Sequence, residues 1–123
     1  FQAEAGIRAC LLSRGLGDMY QRQTGNTAND VAQKFWGVLD KYGIKKESRT
    51  GYSIGIGYPP DWGEQTLNIS KGDKTILQPN VTFHMIAVMQ FGEWGVEASE
   101  SVRVTENGSE LFCNLSRELH IKG

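Results

Sequence analysis

The 123-residue chain carries 13 Lys and Arg against 14 Asp and Glu, for a net charge of −1, with 39% hydrophobic and 22% charged residues. That length suits one domain with one core, and that composition is ordinary for a globular protein. A charge so close to zero gives no electrostatic basis for binding nucleic acid or an anionic membrane, and no apolar run approaches the roughly 20 residues that span a bilayer.

The first residues lack a basic stretch before an apolar block, so no signal peptide is expected, and the opening Phe1 suggests a cleaved or cut piece. Cys10 and Cys113 lie far apart without a CxxC neighbour, a pattern that predicts buried or reduced thiols rather than a zinc site, redox centre or disulfide framework. N-x-S/T triplets occur at Asn68, Asn80, Asn107 and Asn114. Without a leader they are read as coincidental, and a cytoplasmic location is expected.

In chain order, Phe1 to about Tyr20 reads as a helix, with Ala3, Ile7, Cys10 and Leu11 at helical spacing. Gly15 and Gly17 weaken its end, and a loop with Gly25 and Asn26 follows. A second helix is capped by Thr27, with Asp30 placed for a capping box. Its apolar stripe is Val31, Phe35, Val38, Leu39 and Tyr42, and Gly43 is its stop.

From Gly43 onward the pattern is β-rich. Tyr52, Ile54 and Ile56 alternate with Ser53, Gly55 and Gly57, as in a strand closely approached by another backbone, and Pro59-Pro60 ends it. Leu67–Ile69 is a short strand, followed by a turn at Lys71-Gly72-Asp73. Val81–Met89 reads as a central strand, and Gly92 turns the chain into Trp94–Thr105, where Val96, Val102 and Val104 share one parity. Asn107-Gly108 is a hairpin signal, Leu111–Cys113 returns from it, and Leu119–Ile121 is a last edge segment. Two helices packed on a curved, mostly antiparallel sheet make an α+β arrangement.

Four stretches carry a family likeness in the same order. GNTANDVAQKFWGVLDKYGI is similar to a helix entered through "pG-t", and GYSIGIGYPP to a "GHGIGL…HEPP" block. ILQPNVTFHMI is similar to "LEPGMVFTIEPG", and GVEASESVRVTENGSELF to a glutamate strand ending in "VTEtGxexLt". From about Ala3 to Leu119 the chain resembles the C-terminal half of the "pita-bread" fold of the creatinase, prolidase and aminopeptidase P superfamily, peptidase family M24. The resemblance implies that residues 1–123 form one partial catalytic domain whose upstream half lies elsewhere. The wording SRTGYSIGIGYPPDWGE, TFHMIAV and WGVEASES looks most like a branch containing ectoine hydrolases and Xaa-Pro dipeptidase-like proteins.

Metal-dependent members of the superfamily hold two cations with two aspartates, a histidine and two glutamates. In this chain the histidine position falls on Tyr52 and the first glutamate position on Ile86, while the last glutamate is Glu97 or Glu100, either of which a β-bulge could turn inward. A phenol is a poor ligand beside imidazole, and an isoleucine is none. The resemblance therefore implies no metal site and no cofactor, the alternative being two divalent cations such as Mn in an intact parent. Creatinase has this fold and works without metal, through His and Glu side chains.

His84, in the apolar run 81–89, is a candidate proton shuttle or else a hydrogen-bonded core histidine. Glu97 and Glu100 are candidate catalytic carboxylates, or else surface partners of Arg103 or Arg49. Tyr52, Tyr58, Asp61 and Trp62 are candidate substrate contacts for a compact cationic or zwitterionic ligand, or else edge packing. The glycines at 55 and 57 lack a dinucleotide-binding context, and Ser53, Ser99 and Ser101 lack a nucleophile elbow.

The expected function is that of a fragment of a metal-independent C–N (amide or amidine) hydrolase acting on a small-molecule or dipeptide substrate, inactive alone and from a homodimeric parent. The alternatives are a metal-dependent Xaa-Pro dipeptidase (proline dipeptidase) fragment and a non-catalytic binding module.

Overall fold

The computed structural model describes residues 25–57, 59–61 and 63–114. The expected first helix, the expected edge segment at 119–121, Cys10, Tyr58 and Trp62 lie outside these residues. The described part has one helix, α1 (Ala28–Lys41), and the strands β1 (Gly51–Ile54), β2 (Gly63–Ile69), β3 (Thr82–Phe91), β4 (Trp94–Thr105) and β5 (Gly108–Leu111). The strands form one five-stranded sheet in the order β2-β1-β3-β4-β5, and every pairing is antiparallel.

The α1 entry follows the sequence. Thr27 Oγ1 accepts from the Asp30 backbone N–H at 3.3 Å, while Asp30 Oδ2 accepts from the Thr27 N–H at 2.8 Å and its hydroxyl at 2.7 Å. These hydrogen bonds, the backbone one foremost, hold the Asp30 carboxyl below the usual aspartate range. The next N–H groups, on Ala28 and Asn29, donate to the carbonyls of Thr75 and Asp73, which ties the helix start to the β2–β3 connection. Gly43 takes the left-handed φ of +69° that ends the helix. The buried face of α1 is Ala28, Val31, Ala32, Phe35 and Leu39; Val38 is half-buried, and Tyr42, expected on the stripe, is the exposed C-cap residue.

That face packs on one side of the sheet, against Leu67, Ile69, Phe83, Met85, Ala87, Met89, Val102 and Val104. Alternation along β3 is strict: 83, 85, 87 and 89 are buried, while 82, 84, 86 and 88 are half-buried on the opposite, open face. Neighbouring β4 pairs with β3 without a bulge from Thr82↔Arg103 to Phe91↔Trp94. This unbroken register decides which side chains share a face, since directly opposed residues point the same way.

The expected strand around Ile54 and Ile56 is shorter than its alternation suggests. Strand β1 ends at Ile54, a register irregularity falls between Tyr52 and Ile54, and Ile56 is 91% exposed. The close backbone approach is at Gly51, where a Cβ would come within 2.7 Å of the His84 carbonyl oxygen. Strand β2 runs four residues farther toward its N-terminal side than the Leu67–Ile69 core suggested, through Gln65 at a left-handed φ of 56°. Because β1 is short, its pairing with β3 stops at Gly51↔Met85, with one more hydrogen bond from the Ile86 N–H to the Thr50 carbonyl at 2.7 Å, and β3 runs on past the end of β1. There the ammonium of Lys46 donates to the Val88 carbonyl at 2.9 Å and to Ser48 Oγ at 2.8 Å. Partial burial pushes the Lys46 pKa down.

Candidate active site

The open face of the sheet gathers polar side chains into a transverse row. Register pairs Asn68 with Tyr52, Tyr52 with His84, and His84 with Ser101, so the four lie side by side across β2, β1, β3 and β4. The row extends to Phe112, whose N–H donates to the Ser101 carbonyl at 3.0 Å.

His84 sits at the centre of this row. Its ring centroid lies 5.6 Å from that of Tyr52 at a 53° tilt, a normal aromatic contact. Its Nδ1 lies 3.0 Å from Ser101 Oγ. The hydroxyl can donate to a bare Nδ1 or accept from Nδ1–H. In either case one ring nitrogen is anchored and Nε2 is left for chemistry on the open side. On the far side of Tyr52, the Arg49 guanidinium carbon stands 4.8 Å over the ring centroid, and Nη1 donates to Asn68 Oδ1 at 3.0 Å.

The two candidate glutamates part company. Glu97 is opposite Val88 and exposed, so it shares the open face with His84; four residues of strand separate them, about 13 Å at the usual rise, too far for a direct hydrogen bond. Glu100 is opposite buried Met85 and is therefore directed to the α1 side of the sheet. No bulge in the β3–β4 pairing reverses either orientation. Arg103 Nε donates to Glu110 Oε2 at 3.0 Å, and its guanidinium forms an ion pair with that carboxylate.

Asp61 is exposed in the turn after the cis Pro59-Pro60 bond. Its Oδ1 accepts from the Gly63 N–H at 3.0 Å and its Oδ2 from the Gln65 side chain, so its carboxylate closes the turn. The side chains brought together are thus Tyr52 and His84, joined by Ser101, Arg49 and Asn68. Sequence reasoning assigned Ser101 and Asn68 no site role and gave Arg49 only a surface one. Their signal is cross-strand, visible only once the register is known.

The chain from residue 16 to 106 matches the model of "Metallopeptidase family M24". The chain belongs to that family. It is 42% identical over 99 residues to an ectoine hydrolase from Halomonas elongata, covering 80% of this chain and 25% of that protein. The dipeptidase PepE from Mycobacterium ulcerans superposes with a TM-score of 0.76 at 28% identity, over 96% of this chain and 30% of that one. A prolidase from Thermococcus sibiricus superposes with a TM-score of 0.70 at 24% identity, over 96% of this chain and 29% of that one, a likeness of fold. The chain therefore has the architecture of the C-terminal part of the pita-bread fold and spans about a quarter of the length of the curated relatives it matches.

The M24 description implies metal, so the donor set matters. Paired divalent cations need several carboxylate or imidazole ligands converging on one point. Around His84 the open face offers a phenol at Tyr52, an aliphatic chain at Ile86, and hydroxyls at Ser99 and Ser101. Among the described residues, no three His, Cys, Asp or Glu side chains come together as a ligand cluster. These residues do not fit a dinuclear centre. No helix among them is long and apolar enough to cross a membrane.

Proposed function

We propose that this chain is the C-terminal portion of a larger catalytic domain that hydrolyses a C–N bond, amide or amidine, by proton chemistry rather than through a metal pair. The observation that carries this is His84, anchored through Nδ1 by Ser101 and flanked by Tyr52 on the open face, where the family's ligand positions hold a phenol and an isoleucine. In the tautomer whose Nδ1–H donates to Ser101 Oγ, the bare Nε2 takes a proton from the attacking water as that oxygen bonds to the carbon of the amide or amidine. The same imidazolium then donates the proton to the departing nitrogen as the C–N bond breaks, which leaves the imidazole as it began. Glu97, on the same face but distant, faces the other end of the substrate and stabilises positive charge there.

Similarity to an ectoine hydrolase supports a small-molecule substrate, and the dipeptidase and prolidase neighbours keep a dipeptide in view. Within this proposal the protein acts in the cytoplasm as a homodimer, without nucleic acid or membrane. A metal-dependent Xaa-Pro dipeptidase would need its ligands from outside the described residues.

The test is hydrolysis of ectoine and of glycyl-proline by the intact polypeptide, beside its His84→Ala variant. Loss of about 10²- to 10⁴-fold in kcat, the usual share of a general acid–base, is expected. A variant as fast as the parent would remove His84 from the chemistry. No turnover of any amide or amidine by the parent would favour a binding module.

A further inference from the structure

Between α1 and β1 the chain passes beside the part of β3 that runs on past β1, and two of its side chains meet there. Lys46 Nζ lies 2.8 Å from Ser48 Oγ and 2.9 Å from the Val88 carbonyl oxygen. Val88 is four positions along β3 from His84, about 13 Å at the usual rise, so this pair stands apart from the row around the histidine. Lys46 is half-buried, whereas Ser48 is exposed and open to a reagent from solvent. Glu97 is opposite Val88 on β4, the other flank of β3.

A serine hydroxyl is a weak nucleophile until a base within hydrogen-bond reach takes its proton, and a third group that orients the base completes the arrangement. The Val88 carbonyl oxygen only accepts, so it fixes one N–H of Lys46 and holds the nitrogen beside Ser48. With the amine neutral, its lone pair accepts the Ser48 O–H across the same 2.8 Å. Partial burial favours that neutral form, since desolvation pushes the Lys46 pKa down.

We infer that Ser48 and Lys46 form a nucleophilic dyad that takes an acyl group from an activated ester, with the Val88 carbonyl orienting the base. Lys46 Nζ removes the proton as Ser48 Oγ bonds to the ester carbonyl carbon. The bond from that carbon to the leaving oxygen then breaks, and the Lys46 ammonium returns the proton to the departing alcohol. A water molecule, deprotonated by the same amine, next cleaves the acyl–Ser48 ester. The carboxylic acid leaves, and the hydroxyl is restored. The ligand class is an acyl donor with a good leaving group, because the dyad supplies the attack and the proton transfers.

The experiment treats the intact polypeptide with p-nitrophenyl acetate and, separately, with an alkyl fluorophosphonate, which captures an activated serine irreversibly. Peptide mass spectrometry over a time course locates the label and gives its rate. Both reagents should label Ser48, and Ser48→Ala should abolish that label. Lys46→Met and Lys46→Arg should each slow Ser48 labelling by about 10²-fold or more, the usual share of a general base. Arginine keeps a donor for the Val88 carbonyl but takes no proton, so it separates a base from a mere clamp. Lys45, the exposed neighbour, supplies the control: Lys45→Met should label at the parent's rate. Circular dichroism checks that each variant folds. Ser48 is exposed, so the parent and Ser48→Ala decide even where a Lys46 variant does not fold. No label on Ser48 in the parent, or labelling in folded Lys46→Arg as fast as in the parent, overturns the dyad.

Discussion

Adjacent substitutions on β3 should have sharply unequal costs. Met85 is 1% exposed against α1, whereas Ile86 is half-buried on the open face. Met85→Glu removes a buried apolar side chain, worth about 2–5 kcal/mol by comparison with truncation to Ala. It also places a carboxylate where desolvation costs several kcal/mol more. The sum approaches the whole stability of a typical domain, about 5–15 kcal/mol. Ile86→Glu gives up partial burial and leaves its carboxylate in contact with water, at a cost of about 1 kcal/mol. A difference of at least 4 kcal/mol should separate the two. With a urea m-value of about 2 kcal/mol/M, the midpoint gap is about 2 M or more. Urea titration of the intact polypeptide, followed by circular dichroism, measures it. Equal costs, or a larger cost at Ile86, would mean that β3 is displaced by one residue. His84 would then leave the open face, and the proposed site would dissolve.

Further outcomes follow from the same geometry. Ser101→Ala should lower kcat by about 10-fold or more with little change in KM, because a misplaced ring costs rate rather than binding, and Ser101→Thr should recover much of the loss; kinetics over a pH series checks both. Thr27→Ala should cost about 1 kcal/mol in urea unfolding through loss of the cap. Asp30 has a folded pKa below its ordinary value of 3.8, so its contribution is complete above that value and is lost as pH falls through the folded pKa. Asp30→Asn should therefore flatten the acid limb of stability against pH. Lys46 has a folded pKa below its ordinary 10.5, so the unfolded chain holds more protons in that interval and stability rises with pH toward 10.5. Subtracting the Lys46→Met profile from that of the parent should isolate this rise.

Much of this architecture is legible in the sequence because it is local. A capping box needs only Thr27 and Asp30 three apart, and a helix stop needs only Gly43. The β3–β4 hairpin announces itself through Gly92 and the alternation on either side. Long-range geometry is less legible. The end of β1 at Ile54 follows from an irregularity in its pairing with β2, and Tyr42 leaves the apolar stripe because the helix has ended. At the site, parity alone could not decide between Glu97 and Glu100, since the answer depends on whether β4 carries a bulge. The Ser101–His84 and Arg49–Tyr52 contacts join residues on different strands or across a turn of backbone, and no spacing rule in one chain displays them.

Metal content and activity of the intact polypeptide, measured on one sample before and after exhaustive chelation, address the account at its centre. Hydrolysis of an amide or amidine that persists at full rate with far less than one equivalent of metal per chain is the predicted result. Activity abolished by EDTA and recovered with Mn²⁺ would contradict it.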